Sequence, residues 1–117
     1  MQFTETLNKN HEFRRLYSKG RSTVTPTLVV YMRRRTNQPG NRVGFTVSVH
    51  IGKAVVRNRV RRRLREIYRL NESRLGRGYD MVVVARGRAA GAEYAQLERD
   101  FLCCLKKLGI LEEGAAQ

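Results

Sequence analysis

The spacing of apolar residues predicts an amphipathic helix in the middle of the chain. After Gly52, apolar side chains recur every three or four residues, and this period continues to about Leu75, just before Gly76 and Gly78. Steps of about 100° per residue place these positions on one arc of the helix. The arc comprises Val56, Val60, Leu64, Ile67 and Leu70. We therefore expect this side of the helix to pack against the hydrophobic core.

Two further segments have helical periodicity, one near each end of the chain. A short helix is predicted from about Asn10 to Ser18, and Gly20 stops it. Its apolar face holds Phe13, Leu16 and Tyr17. A longer helix is predicted from about Glu93 to Leu108, and Gly109 caps its end.

The remaining apolar segments have the pattern of β-strands. Residues alternate between apolar and polar in Thr27–Arg34 and in Arg42–His50, and a short extra strand is predicted at Arg21–Thr25. The turn residues of Asn37–Asn41 predict that the two longer strands form an antiparallel hairpin. Met81–Ala85 is almost continuously apolar, as expected of a buried central or parallel strand.

Together these elements predict a single α+β domain that spans residues 1–117, with a frayed tail at about 112–117. Their order is α-β-β-α-β-α, with the short extra strand after the first helix. Helices that pack on one sheet form a two-layer α/β sandwich, so we expect a small mixed sheet with helices packed on it. A chain of 117 residues is long enough for one modest core.

The opposite side of the central helix is dense in positive charge. We call it the basic face, and it comprises Arg57, Asn58, Arg61, Arg62, Arg65 and Arg69. Glu66 is the only acidic residue from 53 to 69, and it is expected to neutralise Arg62 or Arg63. Arg59 and Arg63 border the apolar arc, where we expect them to snorkel or to pair with Glu66. Because arginine binds phosphate bidentately and the chain carries a net charge of +14, the pattern favours a nucleic-acid backbone as ligand over a merely solubilising face.

The cysteines and the hydropathy pattern predict a reduced, cytoplasmic protein. Cys103 and Cys104 are adjacent and are the only cysteines, which suits neither an ordinary disulfide nor a zinc site. The longest apolar run, around Tyr79 to Ala85, is too short to cross a bilayer. Polar residues near the start interrupt any apolar signal segment.

Several motifs resemble those of the bacterial ribonuclease P protein subunit. Val43–Ser48 reads V-G-F-T-V-S, and Ile51–Glu66 follows it with the R-N-R signature at Arg57–Arg59. Two further segments, Asn10–Tyr17 and Tyr79–Arg86, extend the similarity over most of the chain. An arginine-rich helix alone is weak evidence, but this combination and spacing in a basic chain of this size is highly specific.

The resemblance implies the protein subunit of an endoribonuclease that removes the 5′ leader from precursor tRNA. In that family a large RNA is the catalyst, so no active site is expected on the protein. Mg²⁺ is expected to be bound mainly by the RNA subunit, with none held by the protein alone. The implied partners are ribonuclease P RNA and the precursor tRNA leader, without a membrane and without an evident obligate protein partner.

The resemblance also assigns residues to two binding regions. The R-N-R region, which contacts the catalytic RNA, comprises Lys53, Arg57, Asn58, Arg59, Arg61, Arg62 and Arg65, and the helical pattern adds Arg69. A cleft between the first helix and the sheet receives the single-stranded leader through Phe13, Tyr17 and Tyr31. On the residues alone, aromatic side chains one turn apart usually fill a core, although unpaired bases also stack on such rings at about 1–3 kcal/mol per base.

Two points separate this chain from what the family pattern and general rules predict. Relatives commonly have a pair of lysines where this chain has Val49 and His50, so its charge just before the basic helix is lower. The resemblance also implies a left-handed crossover around the basic helix, whereas such connections are normally right-handed.

Two alternatives remain open at this point. A protein-borne nuclease would need clustered carboxylates for metal ions, or two histidines as acid and base, and His11 and His50 are the only histidines. A ribosomal-protein-like RNA binder or a DNA-compacting protein would share the electrostatics but would need no base-stacking cleft.

Overall fold

A five-stranded mixed sheet organises the protein, and three helices pack on it. The structure is a computed structural model that describes residues 3–35 and 40–111. The elements, numbered in chain order, are β1 (Thr4–Thr6), α1 (Asn10–Lys19), β2 (Arg21–Val24), β3 (Leu28–Arg34), β4 (Asn41–Thr46), α2 (Ala54–Asn71), β5 (Tyr79–Ala85) and α3 (Tyr94–Leu108). The predicted α+β class is confirmed. The predicted turn at Asn37–Asn41 lies largely outside the described residues, and the predicted tail at 112–117 lies entirely outside them.

Strand β5 occupies the centre of the sheet, whose order is β1-β4-β5-β3-β2. It pairs antiparallel with β3, where Tyr31 lies opposite Val82, and parallel with β4, where Gly44 lies opposite the same residue. The predicted hairpin of β3 with β4 is therefore wrong, because β5 lies between them. The physical reason is that β5 buries apolar side chains on both faces, including Val82 and Val83, which only a central strand can do.

The hairpin of this sheet is formed by β2 and β3 instead. Arg21 pairs with Met32 and Val24 with Val29, and the Thr25 N–H donates to the Leu28 carbonyl at 2.8 Å across the turn. The short extra strand predicted at 21–25 is thus confirmed. Strand β1 pairs parallel with β4. It was not predicted, because its three residues have no apolar alternation.

The two faces of the sheet bury different clusters. Helices α2 and α3 pack on one face, where the main core includes Val30, Val83, Leu64 and Phe101. Helix α1 covers the other face through a smaller cluster built on Leu7, Leu16 and Val82. The predicted two-layer arrangement is therefore amended, because α1 adds a third, one-helix layer opposite the other two helices.

At the C-terminal end of helix α2, the buried residue is Asn71 and not Leu70, which the apolar spacing predicts. It ends at Asn71, and a single 3-10 turn, Glu72–Arg74, carries the chain to Leu75. Leu70 is 53% exposed, so its predicted place on the packed arc is wrong. Neighbouring residues point about 100° apart, and the buried position belongs to Asn71 because its amide donates to the Ile67 carbonyl at 2.8 Å and to Glu98 Oε2 at 3.2 Å.

The strand predicted from Arg42 to His50 ends earlier, at Thr46. Ser48 caps a 3-10 turn, Val49–Ile51, by accepting a hydrogen bond from the His50 N–H at 3.3 Å. This side-chain bond offers the backbone an alternative to continued strand pairing. The strands β4 and β5 that flank α2 are adjacent and parallel, and the left-handed crossover between them stays a prediction.

The last helix agrees with its predicted boundaries. Gly109 ends α3 in the left-handed conformation, with φ of 76°, which glycine adopts without strain. Cys104 is buried and Cys103 is exposed, and burial raises the pKa of the Cys104 thiol to about 11. Within the described ranges, no helix has the length and apolar character needed to cross a membrane.

Candidate nucleic-acid interface

The basic face of α2 is held outward by the packing of the opposite side of the helix. Val60, Leu64 and Ile67 are almost fully buried, so the arginines half a turn away point to solvent. A shallow cavity of about 540 Å³ lies along this face. Its lining comprises Asn58, Arg61, Arg62, Arg65, Glu66 and Arg69. The structure therefore brings five of the predicted RNA-binding residues together around one groove.

The other predicted residues of this region flank the groove. Lys53 is exposed at the N-cap position of α2, and its carbonyl accepts from the Arg57 N–H at 3.0 Å. Arg57 and Arg59 are half-buried beside the groove, each with an Nε atom that is buried without a hydrogen-bond partner in the described part of the chain. Neither residue lines the groove.

The acidic residue of the helix pairs differently from the prediction. Glu66 forms an ion pair with Arg69, one turn further on, so the predicted pairing with Arg62 or Arg63 is wrong. The hydrogen bond and charge of Arg69 lower the pKa of the Glu66 carboxyl. Arg63 instead donates to the Ala92 carbonyl at 3.3 Å, which ties the helix to the loop before α3.

This pairing leaves most of the basic face without a counter-charge. Within residues 3–35 and 40–111, Glu66–Arg69 is the one salt bridge made by α2. Arg61 donates to Asn58 Oδ1 at 3.1 Å, a bond that orients its guanidinium without neutralising it. The charges of Arg61, Arg62 and Arg65 are therefore available to a polyanion, whereas that of Arg69 is partly engaged.

The three aromatic residues predicted for the cleft lie together on the α1 face of the sheet. The rings of Tyr17 and Tyr31 meet edge to face, with centroids 4.8 Å apart. Phe13 and Tyr31 pack beside the small cluster beneath α1, whereas Tyr17 is 42% exposed and its hydroxyl lies 3.3 Å from Thr46 Oγ1. We call Phe13, Tyr17 and Tyr31 the aromatic cleft.

An open cavity of about 500 Å³ adjoins these rings. Its lining comprises Asn10, Phe13, Arg14, Tyr17, Phe45, Thr46, Val47 and Arg61. Tyr31 lies outside this lining and reaches it through its contact with Tyr17. Arg14 and Phe45 were not predicted from the sequence as residues of this site. Asn10, Phe13, Arg14 and Tyr17 recur at intervals of three, one and three residues, and this helical spacing is the signal that identifies Arg14.

Arg61 lines both the groove on the basic face and the cavity beside the aromatic cleft. The two predicted binding regions are therefore adjacent, although one lies on α2 and the other between α1 and the sheet. Their junction needs no movement of either helix.

An ion-pair network fixes α1 on the sheet. Arg42 on β4 forms a bidentate pair with Asp80 on β5, at 2.9 and 2.7 Å, and also pairs with Glu12 on α1. Arg35 joins through Asp80 at 3.4 Å. The hydrogen bond to Asp80, together with the neighbouring carboxylate charges, raises the pKa of Arg42 despite partial burial. Asp80 thus pairs with two arginines, Arg35 and Arg42.

Gly44 allows the Phe13 ring to lie directly against the sheet. A Cβ atom at position 44 would be only 2.6 Å from Cε1 of Phe13 and 3.1 Å from the Leu7 carbonyl. This close approach explains the glycine within the V-G-F-T-V-S segment. The position was not recognised from the sequence as part of the site.

Replacing Gly44 with alanine is expected to push the Phe13 ring outward and to destabilise the protein by about 1–3 kcal/mol, the usual range for overpacking. Urea unfolding measures the stability, and NMR contacts of the ring measure its displacement. Gly87→Ala is the matched control, because no atom lies within 4 Å of the added Cβ. Equal stability of the two variants would contradict the close packing of Phe13.

The two histidines lie on different elements. His11 lies on α1 and His50 on the 3-10 turn before α2, and both are exposed. In the described part of the chain, no group of three or more histidine, cysteine, aspartate or glutamate side chains is placed to hold a metal ion. The carboxylates of Glu12, next to Phe13 on α1, and of Asp80 on β5 pair with arginines.

Comparison with known proteins places this geometry in a family. The profile of the ribonuclease P family matches residues 1–109. Ribonuclease P protein components of Alkaliphilus oremlandii and Caldanaerobacter subterraneus are 40% and 45% identical, over 97% and 92% of this chain and 99% and 91% of theirs. The solved ribonuclease P protein of Staphylococcus aureus is 30% identical, with a TM-score of 0.83 over 91% of this chain and 96% of that one.

Further solved structures support the same family assignment. The Thermotoga maritima protein is 28% identical, with a TM-score of 0.79 over 88% of this chain and 96% of that one. A second Staphylococcus aureus structure, a mutant with defective mRNA degradation activity, has a TM-score of 0.84 at 30% identity, over 91% of this chain and 89% of that one. These matches share the α+β fold described above and extend over nearly all of each partner. The chain belongs to the family of bacterial ribonuclease P protein components, the protein subunits of a tRNA-processing ribonucleoprotein.

Proposed function

We propose that this protein binds the catalytic RNA of ribonuclease P through the basic face of α2 and the 5′ leader of precursor tRNA through the aromatic cleft, in the bacterial cytoplasm. The observation that carries the proposal is the position of Arg61, which lines the cavities of both regions. A protein that joins a ribozyme to its substrate needs two adjacent RNA-binding surfaces. The basic face and the aromatic cleft have that arrangement.

The basic face suits a folded RNA because its contacts are with phosphate groups. Guanidinium groups form paired hydrogen bonds with phosphate and remain charged at any physiological pH. Arg61 and Arg65 lie on successive turns of a rigid helix and Arg62 lies next to Arg61, so their spacing is fixed before RNA binds. Release of counterions from the RNA then makes binding strongly dependent on salt.

The aromatic cleft suits a single strand because unpaired bases stack on exposed rings. Tyr17 is held by its edge-to-face contact with Tyr31 and by Thr46, yet it remains partly open to solvent. Stacking tolerates any base, which a subunit that handles many different leaders requires. Arg14 adds a positive charge at the rim for the leader backbone.

Replacing Phe13 or Tyr31 with alanine is expected to weaken binding of leader-bearing precursor tRNA roughly 5- to 150-fold, because each stacked base contributes about 1–3 kcal/mol. Binding of mature tRNA, which has no leader, should change little. Equilibrium binding to the assembled holoenzyme measures both. Tyr94→Ala, an aromatic truncation on α3 away from the cleft, is the control. Equal losses for precursor and mature tRNA would contradict a role in leader binding.

The proposal assigns catalysis to the RNA subunit and its Mg²⁺ ions. Hydrolysis of a phosphodiester by two metal ions needs carboxylate or phosphate oxygens that hold the two ions about 4 Å apart. Glu12 and Asp80 are paired with arginines, and no cluster of possible metal ligands lies among residues 3–35 and 40–111, so the described donor set does not fit such a site. The protein contributes by neutralising phosphate charge and by holding the leader, and we propose that this raises the affinity of the catalytic centre for Mg²⁺.

Reconstitution with a ribonuclease P RNA tests the proposed function. At low Mg²⁺, the protein is expected to restore leader removal that the RNA alone performs poorly, and the Mg²⁺ dependence should shift to lower concentration. Identical Mg²⁺ curves with and without the protein would contradict the proposal. The double variant His11→Ala/His50→Ala is the control, and it should cleave as the parent does, because neither imidazole takes part in the chemistry.

Cleavage of RNA by the protein alone also needs a test, because a mutant of the Staphylococcus aureus relative is described as defective in mRNA degradation activity. The same double histidine variant provides that test. If the two histidines acted as acid and base, purified protein free of RNA would cleave RNA without Mg²⁺, and the double variant would not. We expect no such cleavage from either protein.

A further inference from the structure

A second concentration of positive charge lies where β3 ends, away from the basic face and the aromatic cleft. A cavity of about 460 Å³ opens there between the ends of five elements: α1, β2, β3, β5 and α3. Five basic side chains line it, and we call them the distal basic cluster: Lys19, Arg21, Arg33, Arg34 and Lys107. No residue of its lining belongs to either of the two cavities described above.

The strand register places this cluster at the opposite end of the sheet from the start of α2. Arg34 pairs with Tyr79 at the beginning of β5, whereas β4 leads to α2 from Thr46, which pairs with Val84 near the end of β5. The two ends are separated by most of the length of the central strand, about five residues or roughly 17 Å at about 3.3 Å per residue. One phosphate group cannot contact both ends.

Two of the five basic side chains are held in fixed orientations. The Arg34 guanidinium lies 5.5 Å from the centre of the Tyr79 ring and donates to its hydroxyl at 3.1 Å. Arg21 donates to the Leu108 carbonyl at 3.4 Å. Arg33 and Lys107 are exposed and have no hydrogen bond or ion pair within the described part of the chain. The cavity is thus lined by two arginines in fixed orientations, Arg34 and Arg21, and by Arg33 and Lys107, which have no partner among the described residues.

The cations exceed what the neighbouring helix ends require. Lys19 and Lys107 lie in the last turns of α1 and α3, where the helix dipoles carry about half a negative charge each. Together these offset about one of five positive charges. None of the nine described residues that line the cavity is acidic, and Asp80, which pairs with Arg33 in the strand register, is already engaged by Arg42. An excess of about four positive charges remains.

We propose that the distal basic cluster is a second binding site for the phosphodiester backbone of RNA, separate from the basic face and from the aromatic cleft. The proposal extends the RNA-binding role proposed above. Three of the five side chains are arginines, and each guanidinium fork can bond two phosphate oxygens at once. The cavity volume falls in the range of roughly 300–1,000 Å³ typical of sites for small ligands, which suits about one nucleotide.

The double variant Arg33→Ala/Lys107→Ala tests the proposal without removing the contacts that orient Arg34 and Arg21. Each lost phosphate contact lowers the slope of log affinity against log salt concentration by about 0.7–0.9. The slope is therefore expected to fall by about 1.4–1.8. Arg15→Ala/Arg99→Ala is the matched control, because it removes the same charge from exposed helical positions that line none of these cavities.

Two binding measurements identify the RNA that supplies the backbone. A lower slope for binding of ribonuclease P RNA to the protein identifies the catalytic RNA, and a lower slope for binding of precursor tRNA to the assembled holoenzyme identifies the substrate. Slopes equal to the parent's for both RNAs would overturn the proposal. So would equal reductions in the variant and in the matched control, since general surface charge then explains the effect.

The outcome is separable from that of the proposed function. Rescue of leader removal at low Mg²⁺ by the parent protein tests the proposed function and does not involve the variant. The salt slopes come from binding measurements alone, so they test the distal basic cluster even when cleavage is not measured. Circular dichroism of the variant checks that the fold is intact, as expected for two exposed side chains.

Discussion

The double variant Arg61→Ala/Arg65→Ala is expected to bind ribonuclease P RNA at least about 100-fold more weakly than the parent. Each guanidinium–phosphate contact contributes about 1.5 kcal/mol or more, and about 3 kcal/mol corresponds to a factor of more than 100. The salt slope should fall by up to about one unit for each arginine. Both side chains lie on the groove of the basic face, and neither forms an ion pair within the described residues.

Conservative replacement separates charge from geometry at the same two positions. Arg61→Lys/Arg65→Lys keeps the charges but loses the paired hydrogen bonds, so the salt slope should stay near the parental value while affinity falls part of the way. Filter binding across a range of salt concentrations measures both quantities. An unchanged slope in the alanine variant would show that these side chains make no phosphate contact.

Replacing Leu64 with alanine is expected to lower the free energy of unfolding by about 2–5 kcal/mol, out of a total of about 5–15 kcal/mol for a domain. Leu64 is only 2% exposed and attaches α2 to the main core. The loss combines the transfer energy of the removed methyl groups with the cavity that they leave. Urea denaturation of the two proteins measures the difference.

Leu70→Ala is the matched control, because it makes the same change on the same helix at a residue that is 53% exposed. Its effect should stay within about 0.5 kcal/mol. The two leucines are indistinguishable by the apolar spacing of the sequence, so this pair also tests the orientation of α2. Similar losses at both positions would mean that the helix is rotated toward Leu70.

The sequence predicts local structure well where one physical rule dominates. Period and flanking glycines define α1 and α3, and the continuous apolar run of β5 identifies a central strand. The same observation also argues against the β3–β4 hairpin, because a central strand must be inserted between two others. Turn residues between β3 and β4 are compatible with a wide connection as well as with a tight one, so they do not determine which strands pair.

Other features depended on contacts between distant residues. Asn71 displaces Leu70 from the buried side because Glu98, on another helix, accepts its hydrogen bond. Gly44 matters because Phe13 lies against it, and nothing in its own segment indicates that contact. The residues of the basic face are predictable because they lie on one helix. The distal basic cluster is not, because its members come from four elements that only the sheet brings together.

The central position of β5 has a consequence for the order of events during synthesis. Residues 79–85 are translated after β1, β3, β4 and the whole of α2, yet they supply the pairing partner of both β3 and β4. A nascent chain that has not yet released this segment from the ribosome lacks the scaffold on which its arginine-rich helix rests. The exit of β5 therefore marks the earliest stage at which a growing polypeptide can present an ordered surface to its RNA.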